Sequence, residues 1–267
     1  TTIYGLAELQ GHTATRGISA VGQISITKNP DSTVHPDALH IPNYTRLLCV
    51  DTGNPYIIVL PTSHTHITIS SLTESKFHIV QGEMESQVFT GTGEDIQSFT
   101  VQGGINKMIE NDRIWILVNG IEYKKVDSLY DATYKEPVFL VKNDISGRGI
   151  SIVFGTNSMH RVPEKGSEII VNYLITKGAG GNLQGISSPK FTWTDSVFDS
   201  TGQEINMNEY AITKVSMTPE FGANSEDPEL TKILAPNISR NFIMYDENSI
   251  AYFFKKMNFF KTVKVFR

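Results

Sequence analysis

Apolar and polar residues alternate in short runs along most of this chain. Between 149 and 183, Ile150, Ile152 and Phe154 alternate with Ser151 and Val153 until Gly155 and Asn157 interrupt them. A second run places Ile169, Val171, Tyr173 and Ile175 on one face, because side chains on a pleated strand point to opposite sides in turn. Ile170, Asn172 and Leu174 form its other face, which is expected to be half covered. Between the runs, Pro163 and Gly166 mark a turn: proline fixes its own φ and glycine accepts a positive one. The stretch is expected to hold a shape rather than to cut a bond.

The same period recurs on both sides. Residues 20–27, 45–50, 56–60, 64–70, 77–80, 86–90 and 96–101 read as strands, with Gly, Pro, Asn and Asp between them. Trp115-Ile116-Leu117-Val118 and Ile121-Glu122-Tyr123-Lys124 flank Asn119-Gly120, a pair favoured by the two-residue type I′ hairpin. Residues 138–141 and 150–154 repeat the hairpin pattern. Many short strands at near-regular spacing predict a mainly β fold of antiparallel strands and hairpins.

Helical spacing appears only towards the ends. Ile3, Leu6, Ala7 and Leu9 suggest a helix stopped by Gly11. Asp227-Pro228 is a helix start, with Leu230, Ile233 and Leu234 on one side and Pro236 as the stop. Ile250, Phe253, Phe254 and Met257 space a further helix, followed by a strand over 262–266. Residues 191–222 are polar and weakly periodic, with at most two strands, near 191–194 and 211–217. The expected division is therefore a helical lead-in at 1–19 from a missing N-terminal part and β domains at 20–104 and 105–190. A polar connector at 191–227 and the truncated start of a small α+β C-terminal part at 228–267 complete it. Opening on Thr1 and closing inside a strand, the chain is expected to be a fragment of a longer protein.

Composition narrows the functions. A chain of 267 residues with 39% hydrophobic content can bury a sizeable core. Its net charge of −5 argues against nucleic acid as the main partner. The single cysteine, Cys49, precludes an internal disulfide framework, and its neighbours Leu47, Leu48 and Val50 predict a buried, inert thiol. No apolar run approaches the length of a membrane-spanning helix.

Candidate chemistry is sparse. Glu83 and Glu85 share a strand face, and Asp127 lies close to Asp131, so each pair could in principle serve a hydrolase. Carboxylates at strand edges are more often solvated. His64 and His66, two apart in a strand, with His35 and His40, are the metal candidates, short of a convincing third ligand. Gly178-Ala179-Gly180-Gly181 follows a strand without the pattern of a phosphate loop, and a close approach of backbones explains it better. Trp193, Tyr130 and Tyr134 are the aromatic residues that a host-glycan-binding β-sandwich would use. Phe253, Phe254, Met257, Phe259 and Phe260 form an aromatic-rich cluster that either packs in a core or makes a subunit contact.

The order of several motifs resembles the phage baseplate J-like family. LAELQGHTATRGISAVGQISI, IPNYTRL and HIVQGEMESQVFTGTGEDIQSFTV come first, then WILVNGIEYKKVDSLYDATYKEPVFLVKNDISGRGISIVFG. RVPEKGSEIIVNYLITKGAGGNL and PEFGANSEDPELTKILAPNISRNFIMYDENSIAYF complete a likeness over nearly the whole chain. The nearest resemblance is to the large wedge subunit of T-even-type contractile-tail phages. One departure is Phe154-Gly155-Thr156-Asn157, where family members usually carry F-G-D-G. The resemblance implies a non-enzymatic structural protein of the virion tail, assembled in the host cytoplasm. It also implies homodimers joined in a ring around the tail hub, contacts with other wedge subunits, and rearrangement when the sheath contracts. No cofactor, small-molecule substrate, nucleic acid or membrane insertion is implied.

Overall fold

The computed structural model of the chain describes residues 3–9, 11–36, 38–61, 65–69, 74–104, 107–144 and 149–238. A helix, α1 (Ile3–Leu9), precedes β1 (Val21–Lys28), β2 (Leu39–Pro42), β3 (Arg46–Cys49), β4 (Pro55–Val59), β5 (His66–Ile69) and β6 (Ser75–Gln81). Then come β7 (Glu83–Thr90), β8 (Ser98–Gln102), β9 (Met108–Val118), β10 (Ile121–Val126), β11 (Val138–Asn143), β12 (Gly149–Phe154) and β13 (Glu168–Thr176). β14 (Phe191–Trp193), β15 (Val197–Asp199) and β16 (Glu204–Ile205) lead to the short helix α2 (Met207–Tyr210), β17 (Ala211–Glu220) and α3 (Pro228–Ile238). The fold is mainly β, as the alternation predicts.

Two antiparallel sheets make a sandwich. The six-stranded sheet runs β14-β3-β4-β6-β1-β17 and the four-stranded one β16-β15-β2-β5. One buried cluster draws Ile24 and Ile26 from β1, Ile41 from β2, Tyr56 from β4, Trp193 from β14 and Val197 from β15. Burying these side chains is the sandwich's main driving force, at about 1.5–3 kcal/mol for each large one. The 191–227 stretch, expected to be a connector with at most two strands, supplies four strands and closes this core. Its strands escape the sequence pattern because β15 and β16 are only three and two residues long.

The third sheet runs β7-β13-β9-β10-β11-β12-β8, with β10 and β11 parallel. It curls until its edges meet: the Phe89 and Phe99 rings lie 5.3 Å apart, and Gln87 Nε2 donates to the Gln102 carbonyl at 3.4 Å. The result is an incompletely closed barrel filled by Ile116, Phe139, Ile152, Phe154, Ile169 and Val171. β7 and β8 therefore belong with the barrel rather than with the block 20–104. The chain crosses from sandwich to barrel at Gly82, whose φ of +143° and proximity to the Ile175 carbonyl leave no room for a Cβ.

Sandwich and barrel share a small apolar joint of Ile57, Val80 and Leu174. That joint explains why Leu174 is fully buried, although Ile170 and Asn172 on the same face of β13 are half-buried. Gln81 reinforces it, its Oε1 accepting from Thr176 Oγ1 at 2.9 Å and from the Lys177 N–H at 2.8 Å. Asn119 and Gly120 take φ of +47° and +79°, as a type I′ turn requires.

α1 forms where its spacing predicts, before Gly11, whereas α3 departs from expectation. Pro236 sits inside α3 rather than ending it; it lies in the last turn, where its missing N–H removes only one bond. Leu230 and Ile233 are exposed, and Thr231 and Ala235 are buried instead. Polar bonding sets this face: Thr231 Oγ1 donates to Glu226 Oε1 at 2.6 Å, and His12 Nε2 lies 2.6 Å from the same oxygen. α1 and α3 are thereby held together.

Candidate functional site

Phe253, Phe254, Met257, Phe259 and Phe260, the expected interface cluster, lie outside the described residues. Within them, the surface suited to assembly is the outer edge of β17. This ten-residue strand pairs with β1 on one side and ends the six-stranded sheet. Ile212 and Met217 are exposed on it. An open edge of this length presents a row of backbone donors and acceptors to which another strand can add. Lys214, exposed on the strand, restrains that edge, since charge discourages indiscriminate pairing, and near its far end the Leu183 N–H already donates to the Pro219 carbonyl at 2.9 Å. Leu6 of α1 and Leu230 and Ile233 of α3 add an exposed apolar patch elsewhere.

Glu83 and Glu85 both lie on β7, and of the carboxylate candidates Glu85 is engaged in local bonding. Glu85 is ion-paired with Lys107 and accepts from the Tyr173 hydroxyl at 3.2 Å. Burial, with the Glu85 charge second, pushes the Tyr173 phenol above its ordinary value, so the hydroxyl remains a neutral donor. Asp127 and Asp131 line one shallow groove with Asp112, Lys124 and Lys125, and Lys125 bridges to Asp112 at 3.2 Å. This is the arrangement of a solvated, mixed-charge surface.

The histidines are brought together only in part. His40 and His66 face one another across β2 and β5 with ring centroids 5.5 Å apart, and His35 lies 3.0 Å from Lys28 Nζ. His64 is outside the described residues. Among the described residues no three His, Cys, Asp or Glu side chains are placed to hold a metal ion.

Cys49 is fully buried in the sandwich core. Gly178–Gly181 is a 3₁₀ turn, and a Cβ on Gly178 would meet the Ala223 carbonyl at 2.6 Å, which is the close approach its composition predicts. Trp193 is only 5% exposed, with Nε1 donating to Thr213 Oγ1 at 3.0 Å. It cannot present its face to a glycan. Tyr130 and Tyr134 are exposed, but they belong to the barrel and not to the sandwich surface near Trp193. No family model matches the chain, and no curated protein matches it.

One feature escaped the sequence reading. A cleft of about 580 Å³ opens at the barrel end where the β9–β10 turn meets the segments around 92 and 161–167. Its lining includes Tyr123, Lys135, Arg161 and Lys165. Nothing in their spacing announces it, because the sheet order alone brings them together.

Proposed function

We propose that the chain is a structural subunit of a phage-tail baseplate wedge that acts through protein–protein contacts. It pairs with a second copy, joins other wedge subunits in a ring around the tail hub, and rearranges when the sheath contracts. The observation that carries this reading is the run of family-like motifs, in shared order, from 6 to 253. The architecture suits it: two stiff β bodies meet at a small apolar joint, and β17 leaves a long edge open for a neighbour. Packed bodies of this kind switch between discrete arrangements rather than deform smoothly, which is what a contracting machine asks of its parts. A gold-labelled antibody against this chain, applied to intact contractile-tail particles, tests the reading. Label at the baseplate is expected; label confined to the capsid or the sheath would contradict it.

A further inference from the structure

The cleft at the barrel end is a built site rather than a gap between loops. Gln97, a buried side chain, fixes two of its walls: Nε2 donates to the Pro163 carbonyl at 2.8 Å, and Oε1 accepts from the Thr92 N–H at 3.0 Å. Asn119 fixes a third, its Oδ1 accepting from the Glu168 N–H at 2.9 Å. Such cross-bracing removes the cost of ordering loops when a ligand arrives.

Tyr123 points out the chemistry. Its ring packs edge-on against Phe154 in the barrel core, and the residue is only 4% exposed. No side chain or backbone group among the described residues hydrogen-bonds its hydroxyl, which is open to the cleft that Tyr123 lines. A hydroxyl on a cleft wall without a protein partner can donate to and accept from whatever enters the cleft. Burial pushes the phenol above its ordinary value against the opposing pull of Arg161, so it stays a neutral donor at physiological pH.

Lys135, Arg161 and Lys165 line the same cleft with a single carboxylate, Glu164, in a chain whose net charge is −5, and Arg161 and Glu164 are close enough to act on the Tyr123 phenol. Arg161 and Lys165 form no ion pair among the described residues. Lys135 holds φ of +59°, a left-handed backbone uncommon outside glycine, tied down by its N–H to the Met159 carbonyl at 2.7 Å. Strain kept in place by surrounding bonds is a mark of functional positions. The Lys135 ammonium donates to Asn157 Oδ1 at 3.3 Å and lies 5.8 Å from the ring centroid of exposed Tyr134.

We propose that this cleft binds a small acidic sugar, with its carboxylate or phosphoryl group held by Arg161 and Lys165 and a ring hydroxyl held by Tyr123 Oη. Guanidinium and ammonium groups suit either anion, Arg161 through its planar fork. Glu164 and the Asn119 amide supply the acceptor and donor that further ring hydroxyls need. A cavity of about 580 Å³ admits such a molecule without rearrangement. The site involves neither β17 nor the α1–α3 patch, so it stands apart from the assembly reading.

Titration calorimetry of the whole chain tests the assignment, using D-glucuronate, D-glucose 6-phosphate, D-glucose and inorganic phosphate as probes. Both acidic sugars should bind saturably, with glucose weaker by about tenfold or more. Arg161→Ala, an exposed substitution, should weaken both acidic sugars by about tenfold. Tyr123→Phe, which deletes only the hydroxyl, should weaken them severalfold without lowering the melting temperature. Absence of saturable heat up to about 20 mM of either acidic sugar would overturn the proposal. So would an affinity that Arg161→Ala leaves unchanged, or inorganic phosphate binding as tightly as glucose 6-phosphate.

Discussion

The barrel and the sandwich are both built of short strands, but the chain reaches them by different routes. In the barrel, β9 meets β10 across Asn119-Gly120, and β11 meets β12 across one short loop. In the sandwich, β1 lies between β6 and β17, and β17 comes near the far end of the described chain. Local pairings need little loop closure, whereas distant ones must be stabilised by the core they complete. The barrel should therefore tolerate insults to the late strands, and the sandwich should not.

The sharpest way to break that contrast is Trp193→Ala. Trp193 sits in β14 at one edge of the sandwich, and its loss from a packed core should cost about 3–5 kcal/mol. Urea unfolding followed at sandwich and barrel positions separately should show the sandwich failing first. If both melt together, the joint makes them one cooperative unit and the contrast is wrong.

Gly82→Val strikes the crossing point. A Cβ there would stand 2.5 Å from the Ile175 carbonyl at φ of +143°. The expected cost is about 2–3 kcal/mol, read as a lower urea midpoint at an unchanged slope. An unaffected midpoint would mean that the two bodies are not braced through this residue.

Gly120→Ala is milder. Nothing lies within 4 Å of an added Cβ, so only the φ of +79° opposes it, at about 1 kcal/mol. Because the turn belongs to the barrel, its effect should appear in barrel probes and leave sandwich probes unmoved.

The smallest effect concerns acid. Thr201 Oγ1 first, then the backbone N–H groups of residues 201–203, hold the Asp199 carboxyl below its ordinary value. A carboxyl lowered in the folded state stabilises the sandwich above the ordinary carboxylate range and loses that contribution as pH falls through the lowered value. Asp199→Asn should flatten this acid limb of the sandwich's stability curve. An acid limb identical to the parent's would show that Asp199 contributes nothing there.

The same contrast explains what could be read from the chain. Asn119-Gly120 announces its hairpin, Gly11 ends α1 at φ of +85°, and Ile169, Val171 and Tyr173 alternate inward, because each is a local rule. β15 and β16 are too short to show a period, and the pairing of β1 with β17 leaves no local trace. On α3, Thr231 faces inward against hydropathy because Glu226 and His12 offer it a polar partner. Tyr123 is part of the run that flanks Asn119-Gly120. Only the barrel's closure places it with Arg161 and Lys165 in the lining of one cleft.

Whether the chain works by joining copies of itself is read most directly by multi-angle light scattering behind gel filtration at high micromolar concentration. The account predicts a species of about twice the 29.7 kDa chain mass, reverting towards one chain on dilution. A single 29.7 kDa species at every concentration would contradict it.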